Sequence, residues 1–203
     1  MVYPTRTDTS GTTLRTYTPF LSAIREQHLR ENRVCRVFVA PRIAEDDAKL
    51  AGIAILAGNV RPLEDLMLDR AETQGVATKQ LESIKMLAGR VKALEPADAD
   101  APPILGMRVS YLLDLKGYDP SAVAKKFTMP MLILQGERDF QVNMKDFALW
   151  KAALGARKDV TFHSYPTLNH LFIAGEGKST ELEYRKPGHV APDVIDDIAK
   201  WVK

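Results

Sequence analysis

Cysteine is almost missing: Cys35 is the only one in 203 residues. An intrachain disulfide needs two thiols and a multi-cysteine metal site needs more, so both are excluded. Charge of one sign is missing too, because 28 basic and 26 acidic residues are interspersed and leave a net charge of +2. Without a basic block or stripe there is no footprint for a phosphate backbone, and no nucleic-acid partner is expected. The longest apolar run, Ala51–Gly58 (AGIAILAG), is far short of the roughly 20 residues that cross a bilayer. The Thr-rich N-terminus has no apolar h-region. No H-x-x-x-H spacing occurs, which argues against zinc. Gly175-Glu-Gly-Lys-Ser-Thr180 lacks the spacing of a phosphate loop and does not follow a strand directly. These absences lead us to expect a cytoplasmic protein with no metal, no cofactor and no membrane contact.

What is present is ordinary for a globular chain: 45% hydrophobic and 27% charged residues. We expect a polar arm over residues 1–18 and a single domain over 19–203. Pro19 opens a helical pattern. Val34–Val39 is β-branched and aromatic and reads as a first strand, with Pro41 starting a short helix to about Lys49. Leu50–Ala57 is continuously apolar, as in a strand buried on both faces. Residues 62–95 read as helix, and shorter helices follow near Tyr111–Leu115 and Ser121–Phe127. Met129–Gln135 is a strong strand, Phe147–Leu154 a helix and Val160–Tyr165 an alternating strand. Pro192–Val202 is an amphipathic closing helix. Strands alternating with helices predict an α/β fold: a short parallel sheet of about four strands flanked by helices. The helical segment at about 60–127 is then an insertion between two strands.

Ligands of such sheets bind beyond the carboxyl ends of the strands. After the third predicted strand comes Gly136-Glu-Arg-Asp139; after the fourth comes Pro166-Thr-Leu-Asn-His170. Neighbouring strands would bring this carboxylate and this imidazole together, as in the lower half of a Ser-His-Asp relay. Each residue has a plainer reading. His170 could be a capping or core histidine, and Asp139 a turn-forming residue. His163 reads as a surface residue of its strand, His189 as a loop residue and Cys35 as a small buried hydrophobe. Asp46-Asp47 and Asp196-Asp197 read as solvated helix faces.

The stretch LQGERDFQV followed by YPTLNHLF resembles the acid and histidine motifs of the α/β-hydrolase family. It is most similar to the bacterial serine esterase and acyl-hydrolase branch, near the dienelactone-hydrolase-like proteins. LAGNVRPLEDL, RKPGHV and VIDDIAKWV fit the same branch, and the resemblance spans about residues 33–203. It implies a partial α/β-hydrolase fold, with Asp139 as triad acid and His170 as general base. It also implies a small-molecule acyl or ester substrate, with the insertion as a lid.

The same resemblance implies a nucleophile in a G-x-S-x-G elbow between a strand and a helix. At that place the chain reads RVFVAPRIA, where Val39 abuts Ala40-Pro41, and no such motif occurs in the 203 residues. Residues 1–32 are also too short and polar for the four preceding strands and their oxyanion donor. Losing a triad nucleophile costs about 10⁶-fold in turnover; losing an oxyanion donor costs about 10²–10³-fold. Two readings follow. The chain is a serine-hydrolase-type protein truncated relative to a working enzyme, or an inactive remnant serving as a binding or interaction domain. The open edge expected at Val34–Val39 should pair with a second copy, forming a homodimer, or with another chain; sedimentation as a monomer at micromolar concentration would count against this.

Overall fold

Met131-Leu-Ile-Leu134 is apolar at every position, so a strand made from it must be covered on both faces. The computed structural model describes residues 6–7, 13–14, 38–45 and 50–202, and sets this run at the centre of a sheet. A small antiparallel pair, β1 (Arg6–Thr7) and β2 (Thr13–Leu14), stands apart. The main sheet is three-stranded and parallel, in the order β3 (Ile53–Leu56), β4 (Met131–Gly136), β5 (Val160–Tyr165). Ile53–Leu56 is in register with Met131–Leu134, and Met131–Gly136 with Val160–Tyr165.

Seven α-helices are described: α1 (Ala40–Glu45), α2 (Leu63–Gln74), α3 (Thr78–Lys92), α4 (Val109–Leu115), α5 (Pro120–Ala124), α6 (Met144–Leu154) and α7 (Pro192–Val202). Alternate residues of β4 face opposite ways, and each face has its own core. Met131 and Ile133 meet Ile55, Phe147, Trp150, Leu154 and Val160 under α6. Leu132 and Leu134 meet Tyr165, Leu168, Phe172 and Val194, with Ile198 and Trp201 of α7 packed behind. The α/β architecture and the helical segment between β3 and β4 are as the sequence predicts. That segment closes a small core of its own from Leu94, Ile104, Val109 and Leu112.

Three expectations need correction. The continuous helix over 62–95 is two helices, because Gly75 takes a left-handed φ of 67° and ends α2. Its N–H and that of Val76 turn back to the carbonyls of Glu72 and Ala71, a helix stop that glycine makes without steric cost. The strand Leu50–Ala57 shortens to β3, which is only partly buried apart from Ile55. It is an outer strand of the described sheet, and only β4 is covered on both faces. Of the strand expected over Val34–Val39, residues 34–37 lie outside the described residues, as do Cys35 and Asp46-Asp47. Phe38 and Val39 lead into α1 and are not extended. The described sheet has three strands, and the edge drawn from Val34–Val39 falls largely outside the described residues.

Helix α1 is fastened to the insertion. The ring of Phe38 meets Tyr118 edge-on at 5.0 Å. Arg42 lies over the Tyr118 ring and pairs with Asp114 at 2.5 Å. Among the described residues, no helix is long and apolar enough to cross a membrane.

Candidate active site

Strand β4 ends in a glycine because two loops converge there. A Cβ on Gly136 would lie 2.5 Å from the carbonyl oxygen of Leu168 and 2.6 Å from that of Asn169. The turn after β4 is tied to the end of β5 by backbone bonds. Glu137 N–H donates to the Tyr165 carbonyl at 2.9 Å and Arg138 N–H to that of Leu168 at 3.0 Å. Asp139 and the loop carrying His170 are thereby stitched together before any side chain is considered.

The side chains complete the contact. His170 Nδ1 lies 2.7 Å from Asp139 Oδ2, with the carboxylate wholly buried and the imidazole 12% exposed. Asp139 Oδ1 accepts the backbone N–H groups of Gln141 at 2.8 Å and Val142 at 3.0 Å. Oδ2 also accepts from Gln135 Nε2 at 3.1 Å. Gln135 is itself 1% exposed and held by the carbonyls of Gly136 and Val142. A carboxylate ringed by donors accepts from all of them, so the shared proton sits on Nδ1. That fixes the tautomer and makes Nε2 the basic nitrogen. The structure therefore joins both residues singled out from the sequence.

The loop leaving β3 is fixed just as firmly. Ala57 adopts a positive φ of 50°, uncommon for a residue with a Cβ. Trp150 Nε1 donates to the Gly58 carbonyl at 2.8 Å. Asp146 Oδ1, at the start of α6, accepts the N–H groups of Val60 and Arg61 at 2.9 and 3.0 Å. The Arg61 guanidinium pairs with Asp146 Oδ2 at 2.7 Å and Asp69 Oδ2 at 3.0 Å. Lys145 and Asn143 also donate to Asp69. Burial opposes the Asp69 charge, but the bonds from Lys145, Asn143 and Arg61 outweigh it and hold the carboxyl below the usual range. Burial likewise opposes the Arg61 charge, and Asp146 and Asp69 overcome it.

Sequence reasoning missed Gln135, Asn169, Arg61, Asp146 and Glu183. The available signal was a polar residue inside an apolar run, as with Gln135 closing MLILQ. Asp197 is no solvated face: it accepts from Tyr165 Oη at 2.8 Å and pairs with His163 Nδ1 at 2.5 Å. Asp196 and His189 are exposed as expected. Among the described residues no cluster of three or more His, Cys, Asp or Glu could hold a metal. A separate open cavity of about 390 Å³ is lined by Arg42, Asp114, Tyr118 and Lys126. Two of its cations are paired, Arg42 with Asp114 and Lys126 with Glu45.

Esterase EstD of Thermotoga maritima is 40% identical to this chain over 167 residues, which cover 81% of the chain and 40% of the esterase. The chain thus spans about 40% of the length of the curated relative it matches. No family model matches. Among solved structures, Est1E from Butyrivibrio proteoclasticus aligns with a TM-score of 0.44 at 13% identity, over 81% of this chain and 56% of that one. The Pyrococcus furiosus esterase Pf2001 aligns with a TM-score of 0.39 at 11% identity, over 66% of this chain and 42% of that one. At these scores neither bears on the site.

Proposed function

We propose that the chain is a member of the α/β-hydrolase family, in its esterase branch, and that Asp139 and His170 are the acid and general base of a Ser-His-Asp site for carboxylic esters or related acyl bonds. The observation that carries this reading is the 2.7 Å contact between a wholly buried carboxylate and His170 Nδ1. In a complete site His170 Nε2 would take the proton of the serine hydroxyl as its oxygen attacks the acyl carbon and return it to the leaving alkoxide, and a water deprotonated by the same nitrogen would then release the acid and regenerate the serine. Asp139 would hold the imidazole in register and stabilise the imidazolium. The insertion α2–α5 would roof a small acyl or aryl substrate.

The 203 residues contain no G-x-S-x-G, and this favours a second reading. In it the chain is a catalytically silent relative that keeps the scaffold as a binding or interaction domain. Hydrolysis of p-nitrophenyl esters by the chain and by His170→Ala separates the two. The first reading expects turnover above buffer that the substitution abolishes, because His170 is the base that activates the attacking oxygen. Equal background hydrolysis by both proteins would favour the second.

A further inference from the structure

The bond between Asp139 and His170 joins two loops, and another set of bonds joins the same loops one residue upstream. Arg138 precedes the acid and Asn169 precedes the base. Both donate to the carboxylate of Glu183, in the short 3₁₀ turn Glu181–Arg185: Arg138 through Nη2, and Asn169 through Nδ2 at 3.1 Å. Ser179 Oγ adds a third bond at 2.9 Å.

Neither donor is a casual neighbour. Asn169 is 1% exposed, and its Oδ1 accepts the N–H groups of Leu171 at 3.0 Å and Ile173 at 3.2 Å. Its amide oxygen thus shapes the loop that carries His170, while its N–H₂ reaches Glu183. Arg138 also donates to the carbonyls of Gly177 at 2.7 Å, Glu176 at 2.9 Å and Thr167 at 3.3 Å. Gly175 lies against the guanidinium so closely that a Cβ would collide with Nη1. Burial works against the Glu183 charge, while the bonds from Asn169, Arg138 and Ser179 hold its carboxyl below the usual glutamate range.

We propose that Glu183 is a positioning residue: by bridging Arg138 and Asn169 it sets the spacing and orientation of the Asp139–His170 pair. The inference rests on reading that pair as the acid and base of the site. Catalytic pairs are sensitive to misplacement on the order of 1 Å, and loops hold such tolerances only when supporting bonds fix them. A glutamine at 183 keeps the shape but offers one acceptor oxygen, and its N–H₂ group would face a donor.

The test reads the tautomer of His170 from ¹H–¹⁵N correlations of the histidine rings in the full chain, with His163, paired to Asp197, as internal reference. Wild type should show His170 with its proton on Nδ1. In Glu183→Gln and Asn169→Ala the ratio of Nδ1–H to Nε2–H forms should fall about tenfold, the size expected when a charge-assisted hydrogen bond is loosened. The His163 ring should stay unchanged. A purely structural Glu183 would lower the melting temperature and leave the His170 tautomer intact, and that result overturns the inference alone. A wild-type His170 without Nδ1–H would instead overturn the reading of the pair itself. A variant that unfolds loses the His163 reference as well. Ser179→Ala then carries the test: it removes one donor to Glu183 and should give a smaller shift in the same direction, while no shift overturns the inference.

Discussion

Gly136 has no room for a side chain, since its Cβ position is already crowded by the backbone of the loop leading to His170. In Gly136→Ala the neighbours are carbonyl oxygens, which cannot rotate away as a side-chain tip can. The loop must retreat, and we expect a loss of about 1–3 kcal/mol, measured by urea denaturation. The same retreat lengthens the contact to Asp139, so the His170 ring should lose its fixed tautomer too; unchanged stability and tautomer would show the loop to be softer than its bonds imply. At this scale the acid and the histidine were legible, because their types and their places after two strands are written in GERD and LNH. Their supports were not. Glu183 lies 44 residues beyond Asp139 on a 3₁₀ turn with no periodic signature, and only folding shows which donors face its carboxylate.

Among the elements, the β3 exit and α6 are locked through Asp146, whose side chain is wholly buried while its partner Arg61 is 18% exposed. Removing Asp146 takes the acceptor from the N–H groups of Val60 and Arg61, while the guanidinium keeps Asp69. Asp146→Ala should therefore cost about 1–3 kcal/mol, seen as an earlier urea midpoint; a cost below about 1 kcal/mol would mean that water replaces the lost acceptor. Element boundaries were legible where the pattern was strong. Val160–Tyr165 and Pro192–Val202 match β5 and α7 residue for residue, because alternation and a one-sided apolar stripe leave little choice. The split of α2 from α3 was hidden inside a run of good helix formers, where one glycine decided it. The shortening of Leu50–Ala57 has another cause. An apolar run shows that a strand is covered, not how many of its residues find a neighbouring ladder.

For the molecule as a whole, charge sets the range of pH over which it stands. Asp69, Asp119, Glu183 and Asp197 all titrate below their ordinary values. In the first three, hydrogen bonds outweigh burial; at Asp197 the Tyr165 hydroxyl leads. Each binds its proton more weakly folded than unfolded, so its contribution is present above the ordinary values of 3.8 and 4.5 and is lost as pH falls through the lowered ones. Tyr165 and Tyr184 are shifted the other way, chiefly by burial, above the ordinary 10.0. Their contribution is present below that pH and lost as it rises. The melting temperature should therefore plateau across neutral pH and fall on both sides, with a shallower acid limb in Asp69→Asn. A melting temperature that climbs on acidification would contradict this assignment.

Asp139, His170 and the carboxylate that bridges their loops all lie between Gln135 and Arg185. In genetic terms they form one linkage block. A rearrangement upstream of this block leaves these groups together.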